Sequence, residues 1–144
     1  MAGSVKPEEA LRTWYKVSHE LTRHTATYSP PVASRAFAYL GVTAFEAAAG
    51  GSGDLQSLAG QLNGLNALPA REAGKDYDEA LVMDAAMQTA VKNLFSNTGP
   101  TGQRVMERLG ARLRAGTSSG LAADVAARSE AFGKSVAEHI LAWS

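Results

Sequence analysis

Two charges interrupt the otherwise apolar segment SPPVASRAFAYLGVTAFEAAAGG, namely Arg35 and Glu46. Charges in such a setting are either substrate contacts or members of structural ion pairs. Eleven residues separate them, about three helical turns, so they share a face but stand roughly 16 Å apart along the axis. They cannot pair with each other. A buried, unpaired charge is costly, so each needs a partner from another part of the chain. Both are therefore expected to be structural charges rather than substrate contacts, with Asp84 or Glu130 as the expected partner of a buried Arg35.

The three histidines are His19, His24 and His139. HELTRH comes close to the H-E-x-x-H pattern of zinc proteases, which needs its histidines four apart so that both face one ion. Here they are five apart, roughly 140° around a helix. The chain has no cysteine, so thiolate ligands, thiolate catalysis and disulfides are excluded, and no metal site is expected. Glu20 and His24 are instead spaced to pair at i, i+4. GSGDLQSLAG lacks the Gly-Lys-Ser/Thr ending of a phosphate-binding loop, and no G-x-S-x-G elbow occurs. Asp76, Asp78 and Glu79 gather at an expected helix start, where acids complement the dipole. Arg104, Arg108, Arg112 and Arg114 read as a solvated face.

The elements that must position these groups are helices. PEEALRTWYKVSHELTRH carries Pro7 and two acids at one end and Arg23 and His24 at the other, with Trp14, Val17 and Leu21 on one face. The segment with Arg35 and Glu46 predicts a helix over about 30–49, capped by Ser29 and closed by Gly50 and Gly51, one of them left-handed. Apolar nearly all round, it is expected at the centre of the fold. A long connection follows, with weak helical turns expected around Leu55 to Leu65. YDEALVMDAAMQTAVKNLFSN predicts a third strong helix, and TGQRVMERLGARLRAG a shorter, more exposed one. In the last segment Leu121, Val125, Phe132, Val136, Ile140 and Trp143 form an amphipathic stripe. The prediction is a single all-α domain over 1–144, a bundle of five or six helices around the Ala-rich helix at about 30–49.

Basic and acidic residues balance at 14 each, which argues against a nucleic-acid module and against an anionic membrane surface. No apolar run reaches the length of a membrane span. MAGSVKPEEA has no apolar signal-peptide core, but a removed leader is compatible with it, so the compartment stays open.

In order, the tryptophan-bearing first helix, SPPVASRAFAYLGVTAFEAA, LPAREAGKDYDEALVMDAAMQTAVKNLF and ARSEAFGKSVAEHILAW resemble the N-terminal helical region of vanadium-dependent haloperoxidase-like proteins, the group related to type 2 phosphatidic acid phosphatases. The resemblance runs from about Trp14 to Trp143 and rests chiefly on Ser-Pro-Pro followed by Ala-x-Arg. It implies that catalysis lies in a later region holding vanadate or phosphate, marked by a Lys, six residues and Arg-Pro, then Pro-Ser-Gly-His, then Ser-Arg with a downstream His. Lys16 and Arg23 have the first spacing, but His24 stands where proline belongs. Ser118 to Leu121 carries leucine in place of histidine, and Ser34-Arg35 has no histidine after it before His139. No catalytic, cofactor-binding or metal residue is therefore carried over.

The resemblance implies a non-catalytic scaffold, partnered by its own C-terminal catalytic region or by a second copy of itself. Ile140 and Trp143 would then lie on an uncovered interface. The competing expectations are a stand-alone helical interaction or oligomerisation module, and a small-ligand binder using the 50–76 connection.

Overall fold

The computed structural model describes residues 5–144. Five helices follow one another: α1 (Pro7–His24), α2 (Pro30–Ala49), α3 (Glu79–Leu94), α4 (Pro100–Ser118) and α5 (Ala123–Trp143). Among the described residues there is no strand, and the fold is the expected all-α bundle. Three of the helices begin with proline in the first turn, where an amide hydrogen has no intrahelical partner to lose. α3 instead opens on a true cap, the Asp78 carboxylate accepting from the Leu81 amide at 2.9 Å.

The centre of the bundle is α3, not the Ala-rich α2. α3 packs against all four other helices, and every residue from Ala80 to Met87 is buried. α2 buries only Ala36, Leu40, Thr43, Ala44, Glu46 and Ala47, leaving Val32 44% exposed. Both helices are apolar on nearly every side, so periodicity alone does not rank them. What separates them is that the buried charge of α3, Asp84, meets an arginine from α4, whereas Glu46 of α2 is bonded only by Ser57 and the Leu58 amide of the connection that follows it.

α3 and α5 form the most extensive helix pair. Small residues make this close approach possible: Gly133 on α5 sits directly over the Val82 carbonyl, where a Cβ would overlap it. Trp14, Leu40, Met87, Phe95, Met106 and Val136, drawn from every helix and the end of α3, belong to one buried apolar cluster. Tyr28 stacks on Phe95 at 4.8 Å and donates its hydroxyl to the Leu94 carbonyl, and burial raises that phenol's pKa.

The connection 50–78 holds no helix, and of the weak helical turns expected around Leu55 to Leu65 it forms a single one, the Leu62 amide donating to the Leu58 carbonyl at 3.0 Å. Gly60 and Gly64 take φ of 78° and 80°, which reverse the chain too tightly for a helix to continue. The expected left-handed glycine after α2 is also absent, since Gly50 is right-handed at φ −60°. Gly50 is instead needed for space, because a Cβ there would stand 2.9 Å from Phe132 Cζ.

Candidate functional site

Arg35 does not enter the core. It is exposed on α2, where its Nε donates to the Tyr39 hydroxyl at 2.9 Å and its Nη2 to the Ser144 backbone oxygen at 3.0 Å. Asp84 and Glu130, its expected partners, are both taken by Arg114. On this stretch of α2 the buried side is marked by Ala36 and Leu40, and Arg35 lies off it, facing solvent. Changing Arg35 to alanine is accordingly expected to alter unfolding free energy by no more than about 0.5 kcal/mol in a urea titration.

The buried polar centre belongs to Asp84, which is 0% exposed. Its Oδ1 accepts from Trp14 Nε1 at 2.8 Å, and its Oδ2 accepts from Arg114 Nε at 3.1 Å and Thr117 Oγ1 at 3.3 Å. Arg114 also reaches Gln88 and Glu130, so one guanidinium ties α3, α4 and α5 together. The expected solvated arginine face thus holds for Arg104, Arg108 and Arg112, which are exposed, and fails for Arg114. A sequence signal for Asp84 did exist, a lone charge inside an apolar run, the same signal that drew attention to Arg35 and Glu46.

Glu46 is 3% exposed and makes no ion pair among the described residues. Its donors come from the 50–78 segment: Ser57 Oγ at 2.9 and 3.1 Å to the two oxygens, and the Leu58 amide at 2.6 Å. Nearby, Arg71 makes a bidentate pair with Glu79 at 2.6 and 2.7 Å, and its guanidinium lies 4.9 Å from the ring centroids of both Tyr77 and Phe132. Arg71 Nε is buried without a hydrogen-bond partner among the described residues. Between Glu46 and Arg71 opens a pocket of about 350 Å³, walled by Leu68, Pro69 and Phe132.

Ile140 does not lie on an uncovered surface, and Trp143 does so only in part. Ile140 is 0% exposed in the chain's own core. Trp143 is half-buried, packs edge-on to Tyr39 at 5.7 Å and donates its indole N–H to the Asn63 carbonyl at 3.1 Å. With His139 against the Asn66 carbonyl, it fastens the 50–78 segment over the end of α5. Of the stripe, Phe132, Val136 and Ile140 are buried in the core, while Leu121, Val125 and Trp143 stay partly exposed.

The histidines of HELTRH point apart. His19 stacks on Phe37 at 4.6 Å, while His24 stands 3.8 Å from Glu20 on an exposed surface. Among the described residues, no helix is long and apolar enough to cross a membrane. Vanadate or phosphate would need several cations and amide hydrogens converging on one point. Lys16 and Arg23 both lie exposed on α1, with Arg23 turned toward Glu20, and Ser34 and Ser118 sit on other helices. These residues do not fit the oxyanion.

The fold defines a class: an all-α bundle of haloperoxidase-like helical type. A solved structure carrying that likeness is described as the first bacterial vanadium-dependent iodoperoxidase. It is 34% identical to this chain and superposes over 99% of it with a TM-score of 0.81. This chain spans 33% of that protein's length. No family model matches the chain, and no curated protein matches it.

Proposed function

We propose that this chain is the helical scaffold region of a vanadium haloperoxidase-like enzyme, related to the type 2 phosphatidic acid phosphatases, and that it carries no oxyanion chemistry of its own. The supporting observation is a likeness that runs through 99% of this chain while covering only 33% of the iodoperoxidase, with Lys16 and Arg23 splayed on an open surface. In this reading vanadate or phosphate is held by a catalytic region that this chain positions. The outer side of α2 offers that region a surface, since Val32 is exposed and Val42 and Phe45 are only half-buried on a helix with few polar side chains. An isolated interaction module is the alternative, and activity separates the two less well than assembly does.

The direct test is turnover by the pure 144-residue chain with vanadate, peroxide and iodide or bromide, and separately with a phosphoester. No turnover above buffer is expected. Vanadate-dependent halide oxidation or phosphoester hydrolysis that disappears in Lys16→Ala or Arg23→Ala would overturn the reading.

A further inference from the structure

The turn that fastens the 50–78 segment to α5 contains the only Asn-Gly step of the sequence, Asn63–Gly64. An asparagine side chain can be attacked at Cγ by the backbone nitrogen of the next residue, and a glycine there has no Cβ to obstruct the approach. This chemistry is one reason asparagine counts as a thermolabile residue. The other asparagines, Asn66, Asn93 and Asn97, are followed by Ala67, Leu94 and Thr98, whose side chains do obstruct it.

The structure adds what the dipeptide alone does not say. Asn63 and Gly64 are both exposed and border a cleft of about 540 Å³ with Asn66, His139 and Trp143, so water reaches them. Among the described residues neither the Asn63 side chain nor the Gly64 amide makes a hydrogen bond. The Asn97 side chain, by contrast, donates to Thr27 Oγ1 at 2.7 Å. The turn is closed by the Leu65 amide on the Leu62 carbonyl at 3.1 Å, with Gly64 at φ 80°. Trp143 Nε1 donates to the Asn63 carbonyl at 3.1 Å, and a side chain at Gly64 would begin 3.7 Å from that same nitrogen. The peptide that Trp143 holds is therefore the one whose nitrogen would react.

We propose that Asn63–Gly64 is a site of spontaneous deamidation that Trp143 restrains and whose reaction frees the 50–78 segment from the end of α5. The Gly64 nitrogen bonds to Asn63 Cγ and gives up its proton, the Cγ–Nδ2 bond breaks, and ammonia leaves a cyclic succinimide. Water then opens the ring at either carbonyl, to aspartate or to isoaspartate. In isoaspartate the main chain runs through Cβ and Cγ and is one methylene longer. The oxygen that faced Trp143 passes from a peptide carbonyl to a free carboxylate, and the Leu62 to Leu65 turn no longer closes in register. Ring closure must rotate the 63–64 peptide toward the Asn63 side chain, against the Trp143 bond, so bond and reaction oppose each other. The inference stands independently of the enzyme relationship.

The test incubates the isotopically labelled 144-residue chain at mildly acidic and mildly basic pH, followed by peptide masses, isoaspartate content and NMR of the two indole N–H groups. A short peptide spanning Gly60 to Pro69, incubated alongside, gives the unrestrained rate. Deamidation is expected at Asn63 and not at Asn66, Asn93 or Asn97, faster at the basic pH because the attacking nitrogen must lose its proton. In the isoaspartate product the Trp143 indole signal should move and its hydrogen exchange quicken. Trp14, bonded to buried Asp84, should stay as it was. Trp143→Phe removes the indole N–H and should speed the reaction about two- to tenfold, the worth of one hydrogen bond. Asn63→Gln keeps the backbone carbonyl and should show no reaction over the same period. Asn63 left intact in the chain after the peptide has fully reacted would sink the site. An unchanged rate in Trp143→Phe would sink the restraint, as would a Trp143 signal that ignores isoaspartate formation.

Discussion

Replacing Asp84 with alanine is expected to lower the free energy of unfolding by about 3–5 kcal/mol. Asp84 is wholly buried and receives Trp14 Nε1, Arg114 Nε and Thr117 Oγ1. Its removal leaves an indole N–H and a hydroxyl short of an acceptor, and strips a half-buried guanidinium of one of its two carboxylates. Breaking one side of a buried pair costs more than the pair itself contributes, because the surviving charge stays in a poorly solvating interior. Glu130 remains on Arg114 but is half-exposed, so it compensates only in part. At roughly 4 °C per kcal/mol for a domain of this size, the melting temperature should fall by more than about 10 °C. Asp84→Asn should lose less, since an amide oxygen still accepts from Trp14. The double change Asp84→Ala with Arg114→Ala should lose less than the two single changes added together, the mark of direct coupling. Urea titrations of the four proteins measure this, and a loss under about 1 kcal/mol for Asp84→Ala would show that the network is not what holds α3, α4 and α5 in register.

A methyl group at Gly133 should act against the usual helix rule. Within an exposed helix, alanine in place of glycine stabilises by about 1 kcal/mol. At Gly133 the added Cβ would overlap the Val82 carbonyl and stand 2.9 Å from Ala85 Cβ and 3.0 Å from the Ala86 nitrogen. These are backbone and stub atoms with no rotamer to turn aside. Relief requires α5 to move off α3 along the most extensive helix contact in the molecule. Overpacking costs typically about 1–3 kcal/mol, and a clash against backbone belongs at the top of that range. Gly133→Ala is expected to destabilise by about 2–3 kcal/mol, and Gly133→Val to prevent native packing, read as loss of near-ultraviolet dichroism with helix content retained. Gly99→Ser is the control: Gly99 caps α4 with open space around it, and the change should stay within about 0.5 kcal/mol. A stabilised Gly133→Ala would mean that α3 and α5 are further apart than described.

Much of the fold was legible in one dimension. Pro7 and Pro30 open α1 and α2 where the punctuation predicted, and the stripe of Phe132, Val136 and Ile140 is buried along α5. The site was less legible. The rule that a lone charge in an apolar run needs a partner was correct in kind and misplaced on Arg35, which meets solvent, while Asp84 fulfils it. Arg114 was hidden among Arg104, Arg108 and Arg112, because four arginines on one helix look alike until a neighbour packs on one of them.

The sequence by itself determined that this chain is helical, where most of its helices start, and that the familiar metal, phosphate-loop and nucleophile-elbow motifs are missing. Those properties depend on residues near one another along the chain: helix periodicity, prolines in first turns, and motif spacing. Only the tertiary structure decided that α3 rather than α2 is central, that the 50–78 segment is fastened to His139 and Trp143, and that Glu46 and Arg71 face one pocket. Each of those depends on which surfaces meet. Two helices with apolar residues all round present the same pattern, and the choice between them is made by a glycine that permits close approach and by a buried carboxylate that finds its arginine thirty residues away.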